Sequence, residues 1–498
     1  MIRRSVLIAL FMIPALVFAQ SFRGSIRGKV VDPNGGLVAG AKVSSKSVET
    51  GLTREAATND EGTYVLAELP AGRYTVTVTA SGFDPVAQNV VVNIGLDATA
   101  DFNMLKLEQQ HEVITVSEEA PLIEASRDVL GEVVDQRLVA DLPLNGRDFG
   151  KLVALVPGAT VEPSGVGAIQ SGFGQFSING NRDRSNNYTV DGTDNNDPFF
   201  NNSAFNQTGI GGAPASLLPI DSIQEFNLQA NFAPEYGRNS GSVVNILTKS
   251  GSNRLHGSAF EFLRNSAMDA RNYFNRAVDS TGAPVKKTAF RNNNFGASLG
   301  GPIIKDRTFF FGAYEGQRER VGSDFTFLVP TQAQIAGAQA LVQSNGLAPN
   351  PALTNILRLY QALPGYNGAS GTIGGTDLDK NNVDSFIVKI DHQITSSESL
   401  TGRYALARSQ QVFPLGGLGF GAGSRLPQFA QTSPTRVQLV SASLLSTLSS
   451  TKINEVRFGY SRYRTSFSGL DGNSDPASFG TSASPFNLAS GKLGAARD

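Results

Sequence analysis

Apolar and polar positions along this chain recur with a period of two far more often than with the period of a helix, which predicts strands through most of its length. Near the N-terminus, residues 26–31, 41–43, 62–66 and 73–79 each read as a short strand bounded by Gly, Pro, Asn or Asp. The last is the cleanest, with Tyr74, Val76 and Val78 on one face and Thr75, Thr77 and Thr79 on the other. Several short strands at this spacing predict a small β-sandwich over residues 22–106. Beyond Arg254 the strands lengthen: 255–263, 292–299, 307–315, 383–392, 400–409, 435–445 and 453–464. In 383–392, Phe386, Val388 and Ile390 oppose Ser385, Lys389 and Asp391, with Ile387 an apolar residue on the polar side. In 453–464, Val456, Phe458 and Tyr460 oppose Glu455, Arg457 and Ser461. An apolar and a charged face on a strand of about ten residues is the pattern of a transmembrane barrel, lipid outside and water inside. Aromatics near strand ends, Phe309 to Phe311 and Tyr460 with Tyr463, fit the same reading. Connections alternate between a short turn at 300–306 and long excursions at 318–382 and 410–433, as barrel strands require.

Residues 120–252 have a different character, polar and rich in Gly and Asn. Asp141 to Phe149, followed by Leu152, Leu155 and Pro157-Gly158, predicts a short helix closed by Pro-Gly. Asp191, Asp194 and Asp197 are spaced i, i+3, i+6, which lacks the alternation and Gly of an EF-hand loop. A solvated loop of Asx-turns is expected there, and no metal is assigned.

Composition narrows the chemistry. The 498 residues imply two or three domains, and a formal net charge of −1 argues against a nucleic-acid partner. Cysteine is absent, which removes disulfides, thiolate metal sites and Cys nucleophiles at once. Three scattered histidines, with no HExxH, P-loop or GxSxG signature, leave no enzyme to assign and no cofactor to place. Residues 1–19 read as a cleaved signal peptide: Arg3 and Arg4, an apolar run to Val17, then Val17-Phe18-Ala19 before Gln20. No later segment is long and apolar enough for a membrane helix, so a membrane location implies a barrel.

Specific motifs refine this reading. Gly40-Ala-Lys-Val43, Thr58-Asn-Asp-Glu-Gly62-Thr-Tyr64, Leu69-Pro-Ala-Gly72-Arg-Tyr74 and Ser81-Gly-Phe83 resemble the carboxypeptidase regulatory-like domain, which implies a docking or structural module and no peptidase. Phe176-Ser-Ile-Asn-Gly-Asn-Arg182, Asn187-Tyr-Thr-Val-Asp-Gly192, Ser222-Ile-Gln-Glu-Phe226 and Gly241 to Gly251 resemble the plug of outer-membrane TonB-dependent receptors, in the subgroup carrying that N-terminal domain. Asn179 departs from the Arg usual in the first plug motif. The resemblance implies a mainly β chain: a β-sandwich at 22–106, an α+β plug at 120–252, and a partial transmembrane antiparallel β-barrel at 255–498. Its plug-motif residues are Gly180, Arg182, Asp191 and Gly192. Glu112 to Ser117, inside a segment spanning 111–118, resembles a TonB box, with Val113, Ile114, Thr115 and Val116 offered as an extended, accessible strand to a TonB-type energy-coupling protein.

The resemblance further implies a bacterial outer-membrane location in contact with lipid, and force-coupled import of a scarce small ligand. That ligand would be of the siderophore, oligosaccharide or peptide class, carbohydrate binding included. The alternative is an adhesion or sensing protein on the same scaffold without transport. Plug-enclosing barrels use about 22 strands, whereas seven are legible here. An incomplete barrel, and a chain that is the N-terminal part of a longer product, are therefore expected.

Overall fold

The computed structural model describes residues 23–106, 114–116, 131–134, 138–139, 142, 144–161, 172–209, 213–230, 232, 236–237, 239–270, 287–349, 351–363, 366–413, 430–449 and 452–469. The proposed signal peptide lies outside them. In the N-terminal unit the strands are β1 (Gly24–Val31), β2 (Lys42–Ser47), β3 (Thr53–Ala57), β4 (Thr63–Leu69), β5 (Gly72–Thr79), β6 (Phe83–Asp84), β7 (Val86–Val92), β8 (Asp97–Thr99), β9 (Phe102–Asn103), β10 (Leu105–Lys106) and β11 (Ile114–Val116). One sheet runs β4-β1-β8, with β9 also on β1; the other runs β11-β7-β5-β2-β3. The period-two pattern of β5 does what it predicts, since Tyr74, Val76 and Val78 are buried between the sheets. They pack with Ile26, Val43 and Val90 in one apolar core. Two tyrosines enter that core without orphaning their hydroxyls: Tyr64 donates to the Ala100 carbonyl at 2.7 Å and Tyr74 to the Pro70 carbonyl at 2.8 Å.

The central unit holds β12 (Gly131–Val134), β13 (Ala159–Val161), β14 (Phe176–Ile178), β15 (Asn187–Val190), β16 (Thr193–Asp194), β17 (Gln207–Thr208), β18 (Pro214–Ser216), β19 (Ile223–Gln229) and β20 (Val243–Thr248). Its main sheet has the order β12-β19-β20-β15-β16, with β15 and β20 parallel and the other pairs antiparallel. The helix expected after Asp141 is replaced by two 3-10 turns, Asn145–Arg147 and Phe149–Leu155. Gly146 and Arg147 take left-handed backbone angles, φ 72° and 55°, which no α-helix continues through. Asp148 then restarts the chain as a cap, its carboxylate accepting from the Gly150 N–H.

The third unit is a wall of long antiparallel strands: β21 (His256–Asn265), β22 (Phe290–Ile304), β23 (Thr308–Leu328), β24 (Thr372–Gln393), β25 (Glu398–Phe413), β26 (Gln431–Ser449) and β27 (Lys452–Thr465), with β28 (Ser468–Gly469) beside β26. It is open, with β21 and β27 at its two ends. The excursion expected at 318–382 is shorter than its sequence suggested. β23 and β24 pair in continuous register to Leu328 and Thr372, and only 329–371 leave the sheet. The sequence hides this extension because polar residues occupy both faces there; Arg318 meets Asp384 at 2.7 Å and Arg320 meets Asn382 at 2.8 Å across the strands. The excursion carries α1 (Gln332–Ser344), opened by a Thr331–Gln334 capping box, and α2 (Pro351–Gln361). For the second excursion, β25 continues to Phe413 and β26 begins at Gln431, and 414–429 lie outside the described residues.

Face assignment in the wall follows the alternation. Val388, Ile390, Val456, Phe458 and Tyr460 are exposed on the outer surface, while Ser385 and Lys389 are buried on the inner one. Ile387, the apolar residue on the polar side, joins Phe226, Ile246 and Val190 in the core between the central unit and the wall. The inner face is thus polar except where the central sheet presses on it. Among the described residues no helix is long and apolar enough to cross a membrane, and the wall strands carry the outward apolar band instead.

Candidate functional site

Asp191 and Gly192 form a two-residue turn between β15 and β16, with φ of 46° and 69°, and Val190 pairs with Thr193 across it. Two successive positive φ values define a type I′ hairpin turn, for which Asp-Gly is among the preferred pairs. The turn aims the Asp191 carboxylate at the inner face of the wall. There Oδ2 accepts from Arg403 Nη1 at 2.6 Å and lies 3.7 Å from Lys389 Nζ. Thr248 supplies its hydroxyl to Oδ2 at 2.6 Å and its backbone N–H to Oδ1 at 2.8 Å. Lys389 also donates to the Thr248 carbonyl at 3.0 Å, and Arg403 to the Val190 carbonyl at 2.9 Å. Arg457 of β27 reaches the Gly192 carbonyl at 2.8 Å. Burial alone would raise the Asp191 carboxyl, but Lys389, Arg403 and Thr248 outweigh it and hold the group below the usual carboxylate range.

A second ion-pair group joins the same two units further round the wall. Arg147 bonds through Nε to Glu315 of β23 at 2.6 Å and through Nη2 to Asp221 at 2.7 Å. Its guanidinium lies over the Phe260 ring, 3.9 Å from the centroid. The other Glu315 oxygen accepts from the Ile220 N–H at 3.1 Å, so a wall carboxylate buried to 1% exposure has both oxygens engaged. Within the central unit, buried Asp148 accepts from Gly174 N–H and Asn206 Nδ2, each at 2.8 Å. Burial keeps its carboxyl above the ordinary range despite those donors.

The residues singled out from the sequence divide. Asp191 and Gly192 meet the wall. Gly180 forms a second type I′ turn with Asn179, φ 74° and 51°, closed by Asn181 N–H to the Ile178 carbonyl at 3.0 Å. Asn is well suited to that left-handed position. Arg182 is exposed, the extended residue just before the following 3-10 turn, and does not join Asp191. Asp194 accepts from the Asn196 N–H and Asp197 from the Phe199 and Phe200 N–H groups, as Asx-turns do. The loop is not solvated as expected, because Asp197 also takes Gln207 Nε2 at 2.9 Å and is fully buried.

Val113 lies outside the described residues. Ile114, Thr115 and Val116 are extended, but one backbone edge is already used: they pair in parallel with Val86, Ala87 and Gln88 of β7. A further strand could therefore add only on the edge away from β7. β7 would be the edge strand of its sheet without the segment, and a β-branched run adds to such an edge readily. Arg403, Lys389, Arg147, Glu315 and Arg457 belong to no sequence motif that marks them as site residues. The available signal was a charged residue on the inward face of a strand whose inward neighbours are small or apolar, as Arg403 is beside Ala405 and Lys389 beside Ile387.

Two families match this chain: "Outer membrane beta barrel domain" over residues 247–495, half of its length, and "Carboxypeptidase regulatory-like domain" over residues 25–105. A curated relative, the TonB-dependent transporter Oar of Myxococcus xanthus, is 30% identical over 310 residues, covering 60% of this chain and 27% of that protein. The chain therefore spans about a quarter of that relative's length. Among solved structures, the outer membrane transporter YddB from Escherichia coli gives a TM-score of 0.46 at 14% identity, over 68% of this chain and 39% of its own. The ferric enterobactin receptor of Pseudomonas aeruginosa, a mutant in complex with enterobactin, gives 0.40 at 13% identity, over 69% and 42%. The chain belongs to the outer membrane beta barrel family and carries an N-terminal carboxypeptidase regulatory-like domain.

Proposed function

We propose that this chain is the plug-bearing part of an outer-membrane receptor that imports a scarce ligand when a TonB-type protein pulls on it. In this reading residues 120–252 are the plug, 255–498 the barrel portion and 111–118 the coupling segment, exported by a cleaved signal at 1–19. The observation that carries it is how the central sheet is held. It shares no strand pairing with the wall among the described residues. Side chains join them instead, above all Asp191 with Arg403 and Lys389. A main-chain ladder would resist withdrawal along its whole length. A few side-chain links over a packed surface form a join that is specific when closed and breakable by force applied at one end. The name of the Myxococcus relative, a TonB-dependent transporter, points the same way. No bond is made or broken in this mechanism, so no catalytic group is required.

The test is capture of the full chain, in detergent, by the immobilised periplasmic domain of the host's TonB-type protein. Ile114→Pro removes a main-chain donor that strand addition uses. Capture of the unsubstituted chain with loss of at least about tenfold in the variant, on the order of 1.4 kcal/mol, supports the reading. Equal capture of both places coupling elsewhere and favours an adhesion or sensing role.

A further inference from the structure

Deepening the coupling proposal, on which it rests, we propose that the N-terminal sandwich presents the coupling strand and is the handle through which a pull reaches the central sheet. Three observations converge. First, β11 is the terminal strand of the sheet β11-β7-β5-β2-β3. One edge of Ile114–Val116 lies on β7, and no strand among the described residues pairs with the other. That outer edge is a row of N–H and C=O groups already held extended, the form a partner strand adds to. Second, the segment is bracketed by acidic residues, Glu112 before it and Glu118 and Glu119 after it. The partner it fits is therefore an edge strand of a periplasmic protein with Lys or Arg at its ends.

Third, the sandwich is clamped to the central sheet. The Ile94 N–H donates to the Glu225 carboxylate of β19, and the Ile94 carbonyl accepts from Asn227 Nδ2 at 3.0 Å. Glu225 and Asn227, two residues apart, share a face of β19 and are buried to 5% and 1% exposure. Gln224 adds a bond to the Ala71 carbonyl at 3.1 Å. The same sandwich touches the rim of the wall, where Arg54 donates to the Ser396 carbonyl and the Asn253 N–H to the Glu49 carbonyl. Force applied to β11 thus passes through β7 and the Ile94 clamp into β19, a strand paired on both sides within the central sheet. Holding the segment on β7 also removes the ordering cost that a loose peptide meets when it binds.

The chain has no cysteine, so a single pair can be introduced cleanly. Ala87 and Thr115 are partners across the β7–β11 ladder. Neighbouring strands lie about 4.8 Å apart, within the span of a disulfide. The full chain carrying Ala87→Cys and Thr115→Cys is oxidised, and its affinity for the isolated periplasmic TonB-type domain is compared with that of the reduced form. The expected result is ready disulfide formation, with the locked form binding as well as the reduced one or up to about tenfold tighter. Failure of the disulfide to form, or binding at least about tenfold weaker when locked than when reduced, overturns the inference while leaving the coupling segment in place. Binding by neither form overturns the coupling reading together with the inference.

Discussion

The sandwich and the central sheet are neighbours built on opposite principles. In the sandwich the buried residues are mainly apolar, and Ile26, Val30, Val43, Tyr74, Val76 and Val90 share one core. In the central unit a polar lattice is buried beside the apolar core. Asn186 donates to the Phe176 carbonyl at 2.9 Å, Asn196 to Asn187 Oδ1 at 2.8 Å, and Asn206 to Asp148 at 2.8 Å. Apolar burial is non-directional and tolerates small shifts. A satisfied polar network fixes one arrangement and fails sharply when a member is lost. Under the proposed coupling the contrast has a use: the sandwich survives as a body, whereas the central unit is either in register with the wall or out of it.

Substitution at the polar join should separate the behaviour of the two units most strongly. Asp191→Ala leaves Arg403 and Lys389 buried without their carboxylate, and removing one partner of a buried pair costs about 3–5 kcal/mol. The expected outcome is loss of hydrogen-exchange protection in β15 and β20 with the sandwich strands unchanged; equal protection in all units would show that the join is incidental. The pH dependence follows with a definite sign. Because the folded Asp191 carboxyl lies below its unfolded value, near 3.9, its contribution is fully present above that value and is lost as pH falls through the lower folded one. Through Asp191, acid should therefore loosen β15 and β20, the raised Asp148 carboxyl acting in the opposite sense, and exchange measured stepwise below pH 4 beside Asp191→Ala isolates the Asp191 part. A smaller effect is expected from Val76→Ala in the sandwich core, about 2 kcal/mol from lost methyl burial. It should lower the sandwich's own melting transition and leave β15 and β20 protected.

Most of the architecture was legible in the alternation of side chains. Tyr74, Val76 and Val78 announced a sandwich core, and Val388, Ile390, Val456 and Phe458 announced an outer apolar face. What failed did so where local pattern is silent. Polar residues on both faces concealed the upper halves of β23 and β24, since a strand that rises beyond lipid needs no apolar face. The helix read around Asp141 to Leu155 was undone by left-handed Gly146 and Arg147, a backbone choice that apolar spacing does not record. The site was half visible. Asp191 and Gly192 stand in a recognisable turn, but Arg403 is 212 residues away from Asp191, and only the packing of the central sheet on the inner face of the wall brings them together. Likewise Ile114–Val116 reads as a strand, and nothing in the run names β7 as its partner.

The central claim, that the central sheet is a separable body held in the wall by side-chain links, is most directly tested by single-molecule pulling. The full chain is tethered through the wall and drawn from residue 114, with extension of about 3.5 Å expected for each residue released. Residues 131–248 are expected to leave first while the wall strands stay paired, and Asp191→Ala to lower the force of that step. Wall strands peeling away before or together with the central sheet, at a force indifferent to Asp191, would contradict it.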